Sequence, residues 1–296
     1  MIDFVYRGIL RDADVRFVYA VCSDLCNEVV RRHNCDPLAS HVLCRALGTS
    51  ALTIPLLNPK ERYTLRWNYA GAVKSVVVEA WGDGRVRGFI TPPNLYEYVE
   101  TEQQIHGESG TVTVVKGTAE ETLNTGTGQA GLLDVVDDLA FFFSASDQVE
   151  TGMAVMVGFR PDPDAPVSLC QGFMIQALPD CDLELFERLR QRLASPACRE
   201  LLAAAPKIDN HFERLVQVLV EDELPAVFSL EEGAEPRFAC TCSHERMRDV
   251  LGAMGREELA QAAAQNETLK LTCHFCSAHY EMTPADLQQT LADLGS

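Results

Sequence analysis

The sequence predicts an α+β protein built in three parts. A large N-terminal α/β domain with a mixed sheet and packing helices is expected over residues 1–179, because short alternating apolar stretches recur there between helical patterns. The composition changes after Pro179, where Leu, Ala, Glu and Arg dominate and predict a mostly helical linker over residues 180–234. Two close cysteine pairs then fall within residues 235–296. They indicate a small C-terminal domain that needs a cross-link or a metal ion for stability.

Composition and charge restrict the class of function. The 296 residues are 47% hydrophobic and carry a formal net charge of −18. Phosphate backbones and anionic membrane surfaces attract basic proteins, so this acidic balance predicts no nucleic-acid partner and no membrane partner. The N-terminus lacks a basic segment followed by an apolar one, and no apolar run is long enough to span a bilayer. We therefore expect a cytoplasmic protein.

The first domain opens with a strand and two helices. The strand is predicted by alternating apolar residues: Val15, Phe17, Tyr19 and Val21. Ser23 is expected to cap a first helix that continues to about His33. Asp36 followed by Pro37 places an N-cap before a proline at the first helical position, and this pair predicts a second helix.

A strand-rich stretch follows these helices. Its predicted strands contain Tyr63, Leu65 and Trp67, then Val76 and Val78, then Val86 and Phe89, then Val112 and Val114. The sequence Gly82-Asp83-Gly84 predicts a turn between the second and third of these strands. A later helix is predicted by the spacing of Leu132, Val136, Leu139, Ala140 and Phe143. Two further strands should flank a turn at residues 162–166. We expect Gly126-Thr127-Gly128 to form a loop, and the lack of a Walker-type motif predicts no ATP site.

The linker carries an apolar stripe. Leu185, Leu189 and Leu193 fall on one helical face, which must pack on another surface. Pro196 and Pro206 interrupt the helical pattern. An ordinary interdomain connector is the alternative interpretation of this segment.

The most specific motif consists of four cysteines in two close pairs: Cys240, Cys242, Cys273 and Cys276. A short spacing lets one turn aim two sulfurs at a common point, and the interval between the pairs is long enough for two short helices. Four thiolates favour Zn²⁺ in a closed tetrahedral site, so we predict one zinc ion per chain and no hydrolytic chemistry. An iron–sulfur cluster is the rival for these ligands, and three histidines are possible substitute ligands: His244, His274 and His279.

The segments around these cysteines predict the rest of the small domain. A helix is expected from Ser243 to Gly252, and a second over residues 257–264. Alternating residues on both sides of the C-x₂-C pair predict a hairpin with a metal knuckle at its tip. Thr283 followed by Pro284 should start a final helix, with Leu287, Leu291 and Leu294 on one face.

Seven further cysteines are scattered through the sequence: Cys22, Cys26, Cys35, Cys44, Cys170, Cys181 and Cys198. A disulfide framework is not expected in a cytoplasmic protein, and free cysteine commonly fills apolar interiors. We therefore expect these seven to be inert, and their spacing predicts no second metal site. Side reactions on oxidation are the alternative for four of them: Cys22, Cys26, Cys35 and Cys44.

Three classes of function are compatible with the four-cysteine motif. The first is a zinc-stapled module that binds another protein. The second is a thiol–disulfide oxidoreductase using Cys273 and Cys276, although such pairs usually open a helix in a βαβ setting. The third is a redox switch, because zinc-bound thiolates can be oxidised and the metal is then lost. The spacing does not choose among them.

Several stretches of the sequence resemble the heat-shock protein 33 family (Hsp33). In the C-terminal region these are Phe238-Ala-Cys-Thr-Cys-Ser-His-Glu-Arg-Met247, then Leu251, Gly255, Glu257-Glu258-Leu259, and Cys273-His-Phe-Cys276 with Tyr280. In the first domain they are Gly84-Arg-Val-Arg-Gly-Phe89, Asp137-Asp-Leu-Ala-Phe-Phe142 with Ser146-Asp-Gln148, and Gly172-Phe-Met-Ile-Gln-Ala-Leu-Pro179. The resemblance covers nearly the whole chain and is weakest between residues 180 and 210.

The resemblance implies a redox-regulated, ATP-independent holdase chaperone rather than an enzyme. It implies that the reduced, zinc-bound protein is folded and inactive. Oxidation is then expected to join Cys240 to Cys242 and Cys273 to Cys276, with release of zinc. The zinc domain would melt, and the apolar face of the linker would capture unfolding client proteins. The family also suggests a homodimer on activation.

Overall fold

The computed structural model describes residues 2–205, 211–221, 223 and 227–294, and Pro206 lies outside them. The chain divides into two compact units, Met1–Phe238 and Ala239–Ser296, which we call the N-terminal unit and the C-terminal unit. Within the described residues, no helix combines the length and the apolar character that a membrane span requires. The predicted domain boundaries at residues 179 and 234 stay predictions.

The strands and helices are numbered in chain order. The strands are β1 (Phe4–Leu10), β2 (Val15–Val21), β3 (Arg62–Tyr69), β4 (Ser75–Trp81), β5 (Arg85–Thr91), β6 (Gly110–Gly117), β7 (Thr122–Gln129), β8 (Thr151–Phe159), β9 (Val167–Ala177), β10 (Phe228–Glu232), β11 (Arg237–Phe238), β12 (Leu269–Thr272) and β13 (His279–Met282). The helices are α1 (Ser23–His33), α2 (Pro37–Thr53), α3 (Gln103–His106), α4 (Val135–Ser146), α5 (Leu183–Leu193), α6 (Pro196–Ala203), α7 (His211–Val220), α8 (His244–Leu251), α9 (Arg256–Ala264) and α10 (Pro284–Asp293).

The described strands form two large sheets and one hairpin. The first sheet has the order β10-β1-β2-β9-β8, and the second has the order β11-β5-β4-β3-β6-β7. Neighbouring strands are antiparallel except β11 and β5, which are parallel. The predicted α+β class is confirmed. The strands predicted for one mixed sheet divide between two, because β2 pairs with the distant β9 rather than with β3.

The two first helices begin in different ways. Asp36 caps α2 as predicted, since its carboxylate accepts from the backbone N–H of Ala39. The prediction for Ser23 is wrong, because its hydroxyl accepts from the backbone N–H of Cys170 in β9 instead of capping α1. The carboxylate of Asp3 takes that role and accepts from the N–H groups of the first turn of α1.

The glycine pair predicted to form a loop lies inside a strand. Gly126 and Gly128 belong to β7, which pairs with β6. A β-carbon on Gly126 would lie 2.7 Å from the ring of Phe142 in α4, so the glycine leaves room for that ring. The prediction was wrong because the reason for these glycines is a contact with a distant helix and cannot be seen in the local sequence.

One core lies around α2 in the N-terminal unit. Leu43, Leu47 and Leu52 of this helix are fully buried, together with Leu65 and Trp67 of β3. Helix α2 contacts strands of both large sheets, which explains why it is buried on almost every side. The core is therefore built from apolar side chains of both sheets and the helix between them.

A second core lies between the first sheet and the helices α5, α6 and α7. The stripe predicted on the linker is buried: Leu185 is 8% exposed, Leu189 0% and Leu193 2%. These side chains share one cluster with Phe17 and Phe173 of the sheet. Strand β10, which the sequence did not predict, follows α7 and pairs with β1. The segment predicted as a helical linker thus also completes the first sheet of the N-terminal unit.

Candidate metal centre

The four cysteines of the predicted metal site lie at two element boundaries of the C-terminal unit. Cys240 and Cys242 immediately precede α8, whose N-cap is Ser243. Cys273 and Cys276 lie in the turn of the β12–β13 hairpin. Local structure thus agrees with the sequence expectations for a helix after the first pair and a hairpin around the second.

The structure brings the four sulfur atoms together. The Sγ atoms of Cys240, Cys242, Cys273 and Cys276 all lie within 4.8 Å of one another. The Sγ–Sγ distance is 3.8 Å between Cys240 and Cys273, and 3.3 Å between Cys242 and Cys276. In a tetrahedral site with metal–sulfur bonds of about 2.3 Å, the edge between two sulfurs is about 3.8 Å. The arrangement can therefore hold one metal ion with small side-chain adjustments.

The hairpin turn orients its two thiols through the backbone. The N–H of Cys273 donates to the carbonyl of Ala278 at 2.9 Å, and the N–H of Ser277 donates to the carbonyl of Cys273 at 2.8 Å. Ser277 has a φ of 58°, a left-handed conformation that closes the turn. Backbone N–H groups of Phe275 and Cys276 also donate to the Cys273 sulfur. Burial nevertheless outweighs these two donors and raises the pKa of the Cys273 thiol.

A tyrosine supports the thiol of Cys242. The hydroxyl of Tyr280 in β13 donates to Cys242 Sγ at 3.0 Å. Burial disfavours the thiolate, but hydrogen bonds from Tyr280 and from neighbouring thiols outweigh it and lower the pKa of Cys242 to about 7. The same bond raises the pKa of Tyr280 to about 12. In the sequence, Tyr280 stands out as a strand position and as part of the family resemblance, but neither gave a sign of its sulfur partner.

The three histidines considered as substitute ligands lie outside the sulfur group. His244 Nε2 is 3.3 Å from the backbone carbonyl of Glu281. His279 Nδ1 is 3.0 Å from the hydroxyl of Thr272. Among the described residues of the C-terminal unit, the group with metal-ligand spacing therefore consists of cysteines alone.

The apolar core of the C-terminal unit is small. Its buried hydrophobic side chains are Leu251, Leu259, Ala262, Met282 and Leu287. The final helix, α10, begins with a capping box in which Thr283 and Asp286 exchange hydrogen bonds, as its predicted start requires. Leu294, predicted on the inner face of this helix, lies beyond its last residue and is 45% exposed.

A second group of thiols lies in the N-terminal unit. Cys22, Cys26 and Cys170 are fully buried, and their Sγ atoms lie within 4.8 Å of one another. The sequence spacing did not predict this group, because Cys170 is far from the other two in the chain. The pairing of β2 with β9 brings it to them.

Comparisons with known proteins relate both the sequence and the fold of this chain to one family. The sequence profile described as Hsp33 protein matches residues 3–283. The 33 kDa chaperonin of Geobacter sulfurreducens is 30% identical over 293 residues, which cover 97% of this chain and 94% of that protein. The 33 kDa chaperonin of Symbiobacterium thermophilum is 31% identical over 301 residues, with coverage of 98% and 97%. A crystal structure of the 33 kDa chaperonin of Thermotoga maritima, a heat shock protein 33 homolog, has the same fold, with a TM-score of 0.77, 24% identity and 99% of each chain covered.

Proposed function

The chain belongs to the Hsp33 family, and from this premise we propose that it is a redox-regulated, ATP-independent holdase chaperone. The observation that carries the proposal is the convergence of four thiols in a unit with a small apolar core. The relatives are named as chaperonins rather than for a catalysed reaction, which supports the prediction that the protein is not an enzyme.

Zinc is the metal that the donor set favours. Four thiolates in a closed tetrahedral group suit Zn²⁺, and the part of the chain that the structure describes adds no carboxylate or imidazole to the group. Zinc bound there would act as a structural cross-link between the segment before α8 and the hairpin. In small zinc domains this binding contributes on the order of 10–16 kcal/mol to folding. We propose Cys240, Cys242, Cys273 and Cys276 as its ligands.

Oxidation would remove these ligands. Two thiols and one hydrogen peroxide give one disulfide and two waters, so two peroxides are needed for two disulfides. Any pairing is within reach, since all four sulfurs are close. We propose Cys240–Cys242 and Cys273–Cys276, because these partners stay adjacent once the unit unfolds, whereas a cross-pair such as Cys240–Cys273 must close a loop between residues 33 positions apart.

Client binding would use the surface that α5, α6 and α7 now cover. Phe212 of α7 lies 5.4 Å from Phe17 and 6.3 Å from Phe173 between ring centroids. Gln171 of β9 binds the C-terminal end of α6, since its side-chain amide donates to the carbonyl of Ala204 at 2.8 Å. Release of these helices would uncover apolar side chains on both sides of the contact. Helices α5, α6 and α7 belong to the N-terminal unit itself. We therefore propose that loss of zinc weakens the packing of these helices on the first sheet, and that the C-terminal unit does not itself cover the client-binding surface.

The oxidoreductase alternative has less support. Its candidate pair lies in a hairpin turn, not at the start of a helix, and is surrounded by two further thiols.

The partners of the proposed chaperone are unfolding proteins, with a homodimer on activation and no nucleic acid or membrane. We propose the cytoplasm as its location, where thiols remain reduced until oxidative stress.

The proposal is tested with the reduced, zinc-loaded full chain, before and after hydrogen peroxide. Zinc release and light scattering of a heat-unfolding client are measured together, without ATP. We expect peroxide to release about one zinc per chain and to switch on suppression of aggregation. The variant Cys181→Ser, which keeps all four proposed ligands, is the matched control and should behave in the same way.

Zinc release without any gain in suppression would contradict the holdase proposal and favour a zinc-stapled interaction module. Turnover of a disulfide substrate by the reduced protein, with aggregation unaffected by peroxide, would instead favour the oxidoreductase.

A further inference from the structure

Cys22 and Cys170 occupy facing positions on two paired strands. Val21 at the end of β2 pairs with Gln171 of β9, so Cys22 and Cys170 form the next pair of the antiparallel register. The backbone N–H of Cys22 donates to the carbonyl of Cys170 at 2.9 Å, which continues the ladder beyond the strand. Facing residues of antiparallel strands have Cα atoms about 4.5–5.5 Å apart, within the range of about 4.4–6.8 Å that disulfides span.

The side chains of this pair are also in contact. The Sγ atoms of Cys22 and Cys170 are 3.4 Å apart, and both residues are fully buried. Formation of a disulfide bond of about 2.05 Å needs a movement of little more than 1 Å, which side-chain rotation can supply. Cys26, one turn along α1, places a third sulfur beside them.

The three thiols differ in their tendency to ionise. The hydrogen bond to Cys170 raises the pKa of Cys22, and burial raises that of Cys26. Hydrogen bonds from the thiols of Cys22 and Cys26 lower the pKa of Cys170. Cys170 is therefore the sulfur that would ionise first and act as the nucleophile.

We propose that Cys22 and Cys170 form a second redox site, at which a two-electron oxidant such as hydrogen peroxide produces a disulfide between β2 and β9. The Cys170 sulfur attacks the peroxide, the O–O bond breaks, and a sulfenic acid and one water form. The Cys22 sulfur then attacks the Cys170 sulfur, the S–O bond breaks, and the proton of Cys22 leaves with the hydroxide as a second water. Two thiols are oxidised and one peroxide is reduced.

A disulfide suits this place better than a metal ion does. Three thiolates around a divalent ion would leave a net negative charge in a dry interior, and such a charge is costly to bury. The neighbouring Asp3 shows the effect, because burial raises the pKa of its carboxyl to about 7. A disulfide is neutral and needs no fourth ligand.

The bond would hold together the sheet that carries the client-binding layer of the proposed function. It would close a loop between residues 148 positions apart, which constrains the unfolded chain. Cys170 also directly precedes Gln171, whose side chain donates a hydrogen bond to the C-terminal end of α6. Because all three thiols are buried, this oxidation should be slower than that of the partly exposed Cys240 and Cys242.

Peptide mapping of the full chain tests the inference without a variant. The reduced protein is treated with peroxide until the four C-terminal cysteines are oxidised and then for a longer time. Free thiols are alkylated in denaturant, and the chain is cleaved on the amino side of aspartate. Cleavage before Asp24 separates Cys22 from Cys26, and cleavage before Asp180 separates Cys170 from Cys181. We expect a reducible cross-link between peptides 14–23 and 164–179.

A thermal measurement gives a second, independent result. Formation of the cross-link should raise the Tm of the N-terminal unit by roughly 10 °C. Cys22→Ala should abolish this shift, whereas Cys198→Ala, which removes a buried thiol outside the group, should keep it. The inference is overturned if Cys22 and Cys170 are both still alkylated after the longer peroxide treatment, or if Cys170 is joined mainly to Cys26. It is also overturned if a metal ion remains bound after Cys273→Ser and is lost on further change of Cys22. None of these results depends on the chaperone assay, so failure here leaves the proposed function standing.

Discussion

The N-terminal unit and the C-terminal unit differ in the interactions that stabilise each of them internally. The N-terminal unit buries large side chains such as Trp67, Phe17 and Phe173 between sheets and helices. Over residues 239–294, the apolar cluster of the C-terminal unit has five buried side chains, one of them an alanine, and the same unit gathers four thiols. Apolar packing is insensitive to oxidants, whereas a thiolate site is lost when its sulfurs are oxidised. On the proposed function, the chain would thus combine a body stabilised by apolar packing with a smaller unit whose folding depends on the redox state.

The thiols of the two units also differ in exposure. Cys22, Cys26 and Cys170 are fully buried, whereas Cys240 and Cys242 are partly exposed. Oxidation rate follows access and thiolate character, so an oxidant should reach the C-terminal unit first. The order of events would thus follow from burial: the C-terminal unit responds to mild oxidation, and the N-terminal group responds later.

The largest effect is expected from loss of one proposed zinc ligand. Cys276→Ser should remove zinc and unfold residues 239–294, because the metal contributes on the order of 10 kcal/mol to such small domains. Metal content and limited proteolysis of the reduced variant measure the two consequences. Cys181→Ser is the control, since it removes a half-buried thiol of the N-terminal unit. One zinc per chain and a protected C-terminal unit in Cys276→Ser would contradict the site.

A smaller effect is expected in the helical layer of the N-terminal unit. Leu189→Ala removes a fully buried side chain and should weaken the attachment of α5 by about 2–5 kcal/mol. The reduced, zinc-loaded variant should then suppress client aggregation more than the unchanged protein does, as measured by light scattering. Leu183→Ala, at a position that is 61% exposed, is the control and should have little effect. Equal suppression by both variants would argue against client binding at this layer.

The smallest effect concerns the support of one thiol. Tyr280→Phe keeps the ring but removes the hydroxyl that donates to Cys242. Zinc affinity, measured by competition with a chelator, should fall by roughly tenfold. The pKa of Cys242 should rise from about 7, so that reaction with an alkylating agent in the metal-free protein slows near neutral pH. Tyr98→Phe in the N-terminal unit is the control, and equal zinc affinities in both variants would show that the hydrogen bond is unimportant.

Local features of the fold were predictable from the sequence. The cap of α2 at Asp36, the hairpin around Cys273 and Cys276, and the start of α10 at Thr283 depend on neighbouring residues only. The convergence of the two C-terminal cysteine pairs was also predictable, because each pair is a compact motif and the metal chemistry that unites them is specific. The structure bears out these local expectations.

Long-range features were not predictable in the same way. The division into two sheets depends on the pairing of β2 with β9, and alternation within a strand does not identify its partner. The meeting of Cys22 with Cys170 follows from that pairing, so their sequence positions gave no sign of it. Ser23 illustrates the same point, since its hydroxyl binds the backbone of β9 rather than its own helix.

Hydrogen exchange of the full chain under reducing conditions, with and without removal of zinc by a chelator, can show whether the metal stabilises the C-terminal unit. We expect amides in residues 239–294 to lose their protection when zinc is removed. Amides of β2, β3 and β9 in the N-terminal unit should remain protected, because their stability comes from apolar packing. Unchanged protection of residues 239–294 in the zinc-free chain would contradict the claim that the metal holds the C-terminal unit together.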